Sequence, residues 1–172
     1  KIKGNSICKI LHKVSNGKRK KVKFRFFLKI FLTTSFLALF FDQITKSFIV
    51  RLLKKTDGNI NITSFLSFTL IKNQGIVFGL FNNEKTRIFI IIFSFIAIFF
   101  IIFAILKLKK TEKYHQFSLG LIVGGTIGNL LDRIRFGYVI DFINFHFWPV
   151  FNFADAFISI GVILFFIKYL KE

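Results

Sequence analysis

Acidic side chains are scarce in this chain: eight Asp and Glu stand against 26 Lys and Arg, a formal charge of +18 over 172 residues. Cysteine and proline are scarcer still, with one of each. Cys8 stands alone in a basic stretch, so neither a disulfide framework nor a cysteine metal site can be drawn. His12, His115 and His146 are scattered and fit no metal-ligand pattern, so no metal and no cofactor is expected. No Pro- or Gly-rich linker or internal repeat divides the chain, and its length suits one domain. What is abundant excludes an ordinary soluble domain: 53% of the residues are hydrophobic, 28 of them Phe.

Four segments approach the length of about 20 apolar residues that a bilayer-spanning helix needs. They run from about Phe26 to Val50, from Arg87 to Leu108, from about Phe117 to Ile134 and from about Val150 to Leu170. The predicted fold is an all-α membrane protein of four transmembrane helices. Charge placement orients it. The first 29 residues carry eleven Lys or Arg and no acid. The link "KLKKTEKYHQ" between the second and third segments is basic, and Lys168 and Lys171 close the chain. By the positive-inside rule both termini face the cytoplasm. The same placement argues against a nucleic-acid partner; the arm over residues 1–25 reads as an orientation signal that also touches anionic membrane lipids. No small-x-small cleavage site follows the first apolar run, which reads as an uncleaved span. The membrane domain then covers residues 26–172.

Two segments are left on the extracytoplasmic side. The first, residues 51–86, includes "NITSFLSFTLIKNQGIVFGLF", a partial alternation of β-branched and aromatic residues with Gly75 and Gly79 as turn or bulge points; it predicts a small sheet on the membrane surface. The second, from about Arg135 to Pro149, is rich in Phe with Tyr138 and Trp148, which suits the water–lipid interface.

Four of the eight acids, Asp42, Asp132, Asp141 and Asp155, lie within or beside spanning segments. Each costs several kcal/mol there unless it pairs, stays protonated or faces a cavity. The topology carries all four toward the extracytoplasmic face. Asp42 and Lys46 stand at i, i+4 and pair locally; Asp132 has Arg133 beside it for an ion pair. Asn129 shares a face with Asp132 and Arg133, and Asn152 shares one with Asp155. Asp141 and Asp155 are left without a basic partner in their own segments. Two such carboxylates brought together cannot both ionise easily, which is the state acid–base hydrolysis uses. Spacing alone leaves other readings open: Asp155 as a helix cap beside Asn152, and Asp141 as an exposed loop residue. At the level of the whole protein the alternatives are a proton- or ion-coupled transporter or channel subunit, and a non-enzymatic lipid-binding or assembly protein. Gly120, Gly124 and Gly128, four apart, form a small-residue face for close helix packing.

Five ordered stretches resemble the motifs of the bacterial lipoprotein signal peptidases (signal peptidase II, aspartyl peptidase family A8). They are "DQITK" (Asp42 to Lys46), "NQGIVFG" (Asn73 to Gly79), "GGTIGNLLDR" (Gly124 to Arg133), "GYVIDFI" (Gly137 to Ile143) and "FNFAD" (Phe151 to Asp155). Each is weak alone; five in order on four spans make a specific signal. The resemblance implies an intramembrane aspartyl endopeptidase of the bacterial cytoplasmic membrane, which removes signal peptides from prolipoproteins just before a diacylglyceryl-modified cysteine. It implies Asp141 and Asp155 as the catalytic pair and Asn73, Gly75, Asn129, Arg133 and Asn152 as substrate-binding or supporting residues. Asp42, Lys46 and Asp132 then match structural positions. It also implies a β-cradle with a short helix, globomycin-type inhibitors and a monomer. Ile76 and Val77 replace small alanines, so a bulkier cradle surface is expected, and the basic arm is longer than the family's.

Overall fold

The structure, a computed structural model, describes residues 29–56, 58–75, 84–107 and 113–170. The basic arm, and Ile76, Val77 and Gly79 in the rest of the 51–86 segment, lie outside the described residues. The chain forms helix α1 (29–53), strands β1 (Asn59–Asn61) and β2 (Ser67–Asn73), helices α2 (Glu84–Lys107) and α3 (Lys113–Phe136), strand β3 (Val139–Asn144) and helix α4 (Phe153–Tyr169). A helix thus occupies each of the four apolar runs, and a small sheet lies in the connections. The short helix that the resemblance implies is not found within residues 58–75.

The helices are turned inside out relative to a water-soluble bundle. Along α1, Thr34, Ser35, Asp42 and Lys46 are buried, while Phe36, Phe40, Ile44 and Phe48 on the other faces are exposed. Within α2, Lys85–Phe103 has a mean hydropathy of 2.7 and no buried residue. An exposed apolar surface of this extent is stable against lipid and not against water.

The glycines of α3 set how closely the helices approach. A Cβ on Gly124 would sit 2.5 Å from the Ser35 carbonyl oxygen of α1, and one on Gly128 2.5 Å from an Asp42 carboxylate oxygen. The adjacent Gly125 faces the other way, where a Cβ would lie 2.5 Å from the Ala154 carbonyl oxygen of α4. One glycine stripe therefore seats α1 and α4 together, as small residues do where helices pack in lipid.

That approach closes an ion cluster. Lys46 Nζ lies 2.9 Å from Asp42 Oδ2 and 2.8 Å from Asp132 Oδ2, and all three side chains are at most 2% exposed. The i, i+4 pair on α1 is present, but Asp132 does not pair with Arg133 as expected. Consecutive residues on a helix point about 100° apart, so Asp132 turns to α1 and Arg133 turns away. Backbone and amide donors complete the coordination of the two carboxylates. The Ala154 N–H at the start of α4 donates to Asp42 Oδ1 at 3.0 Å, the Ile140 N–H of β3 to Asp132 Oδ2 at 3.3 Å, and Gln43 Nε2 to Asp132 Oδ1 at 3.0 Å. One cluster ties α1, α3, β3 and α4.

The sheet has the order β1-β2-β3, antiparallel throughout. Its third strand comes from the connection between α3 and α4, so Asp141 stands on a strand and is 2% exposed, not an exposed loop residue. Pairing continues past the strand. Ile143 and Phe151 exchange backbone hydrogen bonds at 2.8 and 3.1 Å, which folds 145–150 into a loop and returns the chain beside β3. Phe142 of β3 drops into an apolar cluster with Ile49, Leu53 and Ile143, which seats the sheet on the C-terminal end of α1.

Replacing Lys46 by Met leaves two buried carboxylates without their cation, which costs roughly 3–5 kcal/mol. Thermal scanning of the detergent-solubilised protein is expected to show a large drop in Tm for K46M; a Tm equal to wild type would mean that the cluster does not hold the helices.

Candidate active site

Beside the ion cluster, β3 and the first turn of α4 bring Asp141 and Asp155 to one pocket of about 310 Å³, lined also by Asn73, Asn129, Arg133 and Trp148. The rest of the wall is apolar apart from Ser159, and includes Val139, Val150 and Ile158. The Phe151 turn-back at the sheet edge places Asn152 directly against Asp141, although eleven residues separate them.

Three asparagines hold the carboxylates, and the orientation of each is dictated by a group that can bond in only one sense. Lys46 Nζ donates to Asn129 Oδ1 at 3.0 Å; an ammonium has no acceptor, so the amide oxygen must face it. Asn129 Nδ2 is left to donate to Asp155 Oδ1 at 2.7 Å. The Asp155 backbone N–H donates to Asn152 Oδ1 at 3.0 Å, which leaves Asn152 Nδ2 to donate to Asp141 Oδ1 at 2.6 Å. The same nitrogen also lies 3.1 Å from Asn129 Oδ1, which links the two amides. The Gly75 N–H donates to Asn73 Oδ1 at 3.1 Å, so Asn73 Nδ2 donates to Asp141 Oδ2 at 2.8 Å. Asp155 Oδ2 accepts from the Asn152 N–H at 3.2 Å. Every carboxylate oxygen of the pair thus has one N–H donor, and a rigid path runs Asp141–Asn152–Asn129–Asp155.

Asp155 does cap α4, in a capping box with Asn152. The cap does not exclude a chemical role, because it fixes the carboxyl group at the pocket wall. Neither carboxylate has an ion pair among the described residues, as the charge count expected. Burial, followed by repulsion from Asp155, raises the Asp141 pKa to about 6, and the Asn73 and Asn152 hydrogen bonds oppose the rise. Arg133 also lines the pocket. One guanidinium nitrogen, Nη2, donates to the Gly75 carbonyl at 3.2 Å, and its buried Nε has no hydrogen-bond partner among the described residues.

The singled-out residues thus separate into two joined clusters. Asp42, Lys46 and Asp132 form the structural one; Asn73, Asn129, Arg133, Asp141 and Asp155 line the pocket, with Gly75 and Asn152 bonded behind them. Sequence reasoning passed over Gln43, which bonds Asp42, Asp132 and the Gly128 carbonyl and accepts from Arg135. The available signal was an amide beside Asp42 inside an apolar helix.

A buried acid whose folded-state pKa lies above its unfolded value binds more protons in the folded state, so stability falls as pH rises between the two. The stability of the wild type relative to Asp141→Asn is therefore expected to fall by up to about 3 kcal/mol from about pH 4 to about pH 7. Thermal unfolding of the two proteins across this range measures it; a difference independent of pH would contradict the uncompensated burial of Asp141.

Comparison with known proteins identifies the family. The family model described as signal peptidase (SPase) II matches residues 34–171. The lipoprotein signal peptidase of Clostridium tetani is 37% identical over 141 residues, 79% of this chain and 89% of that protein. The lipoprotein signal peptidase of Thermodesulfovibrio yellowstonii is 39% identical over 151 residues, 84% and 99% of the two chains. Two solved bacterial membrane enzymes superpose with TM-scores of 0.71 and 0.70 at 28% and 27% identity. They cover 82% and 83% of this chain, which covers 87% and 93% of theirs. With the family match extending from α1 through α4, this chain belongs to the signal peptidase II family, membrane-bound aspartic peptidases that remove signal peptides from lipoproteins.

Proposed function

We propose that the chain is an intramembrane endopeptidase that cleaves prolipoproteins immediately before a diacylglyceryl-modified cysteine, with Asp141 and Asp155 as the catalytic pair. The observation that carries this is their convergence on one pocket, each carboxylate held by amide donors and neither matched by a cation of its own. In such a pair one member keeps a proton while the other is ionised. The ionised carboxylate takes a proton from a water molecule, whose oxygen attacks the scissile carbonyl; the protonated carboxyl gives its proton to the carbonyl oxygen. Collapse of the resulting gem-diol breaks the C–N bond as a proton passes to the departing amine. The pair titrates as a unit, so neither residue is assigned the proton.

The supporting residues then have roles that follow from their donors. Asn129 and Asn152 keep both carboxyl groups in register. Arg133, with a buried Nε free of partners among the described residues, donates to a substrate carbonyl. Asn73 at the end of β2, with Gly75 beyond it, lies where an extended peptide would run along the sheet, since backbone groups entering lipid need partners. In this reading all four helices span the bacterial cytoplasmic membrane with both termini inside. The pocket then lies near the extracytoplasmic headgroup level, where a membrane-anchored diacylated cysteine presents its scissile bond. Residues 1–25 form a cytoplasmic arm ahead of the membrane domain. Globomycin-type inhibitors occupy the same pocket, and the enzyme acts as a monomer.

Asp141→Asn and Asp155→Asn are each expected to lower cleavage of a diacylated lipobox peptide by about a thousandfold or more, while the protein still inserts and folds. The purified variants are compared with wild type in mixed micelles; full activity in either one removes that residue from the catalytic pair.

A further inference from the structure

A second pocket, of about 280 Å³, lies on the other side of the ion cluster and shares no lining residue with the first. Its floor is Gln43, Lys46 and Asp132, already bonded to one another through the cluster. Its mouth is basic: Arg51 and Lys54 from the end of α1 and Arg135 from the end of α3, all exposed. Neither Arg51 nor Lys54 has an ion pair among the described residues, and Arg135 has only a 3.4 Å hydrogen bond to Gln43.

Cations in a last helical turn are favoured by the helix dipole. That accounts for each residue separately but not for three cations from two helices gathered around one cavity, since the Asp42–Lys46–Asp132 cluster beneath them has a single net negative charge and offsets only one of the three. The topology sharpens the point. In the proposed orientation this is the extracytoplasmic side, where the positive-inside rule disfavours Lys and Arg. On α1 the turns before Arg51 carry the exposed Ile44 and Phe48, and Ile134 beside Arg135 on α3 is exposed as well. A ligand that is anionic at the headgroup level and apolar beneath fits both parts.

We propose that this pocket binds the phosphodiester headgroup of an anionic phospholipid, its acyl chains lying along the α1–α3 face. The headgroup phosphate, with one negative charge, accepts hydrogen bonds from Arg51, Lys54 and Arg135 and lowers their mutual repulsion. It also packs over the Lys46 cluster, whose Asp132 holds the backbone next to Asp141. The proposal rests on the membrane orientation given above but not on the catalytic assignment, and a binding readout that needs no cleavage keeps the two separate.

The test is the thermal stability of the full-length, detergent-purified protein, titrated with phosphatidylglycerol, with phosphatidylcholine of the same chains, and with inorganic phosphate. Phosphatidylglycerol is expected to raise Tm saturably, and the other two are not. Affinity for phosphatidylglycerol is expected to weaken about fivefold per cation removed in R51Q/K54Q and in R51Q/K54Q/R135Q, and to be retained in the charge-preserving R51K/K54R. The basic arm is unchanged in every variant, so its own attraction to lipid cancels. Equal affinity of wild type and R51Q/K54Q overturns the proposal, as does equal stabilisation by phosphatidylcholine. A saturable shift with inorganic phosphate as large as that with phosphatidylglycerol overturns the lipid assignment.

Discussion

The arrangement depends on one ammonium group. Lys46 Nζ sits between Asp42 and Asp132 and also donates to Asn129, so one buried cation closes the α1–α3 interface and orients an amide of the pocket. Removed from lipid and water alike, two carboxylates and one cation leave a net negative cluster. The Ala154 N–H, the Ile140 N–H and the Gln43 amide compensate it. Two of those donors are backbone groups at the entrance of α4 and on β3. The elements bearing Asp155 and Asp141 are therefore held by the same charges that hold the helices. Folding and preorganisation of the pocket are one event.

This coupling explains how a carboxylate pair without its own cations is tolerated. Asp141 is buried and has its pKa raised to about 6, a state that opposes folding near neutral pH. The opposition is contained because its neighbours are rigid. Asn152 is fixed by the α4 capping box and Asn73 by the Gly75 N–H. The site is a local departure from good electrostatic pairing inside a structure that is otherwise paired, the pattern expected where a protein stores reactivity.

The helices were legible because lipid imposes a one-dimensional rule. A run of about 20 apolar residues must be helical to satisfy its backbone, whatever packs against it. The i, i+4 pair Asp42–Lys46 was legible for the same reason, since both members sit on one helix face. Contacts between elements were less legible. Asp132 was paired with Arg133 by proximity along the chain, but the partner is Lys46 of α1, 86 positions earlier. The strand under Asp141 was hidden because its pairing partners, Ser67–Asn73, lie far upstream, and a Phe-rich run reads equally well as an interfacial belt.

By itself the sequence determined that this is a lipid-embedded chain of apolar helices, that Asp42 is compensated by Lys46 on its own helix, and, through its five motifs, the family. Those features follow from local periodicity, charge spacing and residue identity, and none of them needs a second segment in place. Only the tertiary structure decided that Asp141 and Asp155 meet at one pocket through Asn152 and Asn129, that Gln43 belongs to the ion cluster, and that Arg51, Lys54 and Arg135 gather at a second cavity. Each of these rests on contacts between segments far apart in the chain. Such contacts are set by how closely glycine-lined helices approach and by the pairing of β2 with β3, and neither distance is written in any single stretch of residues.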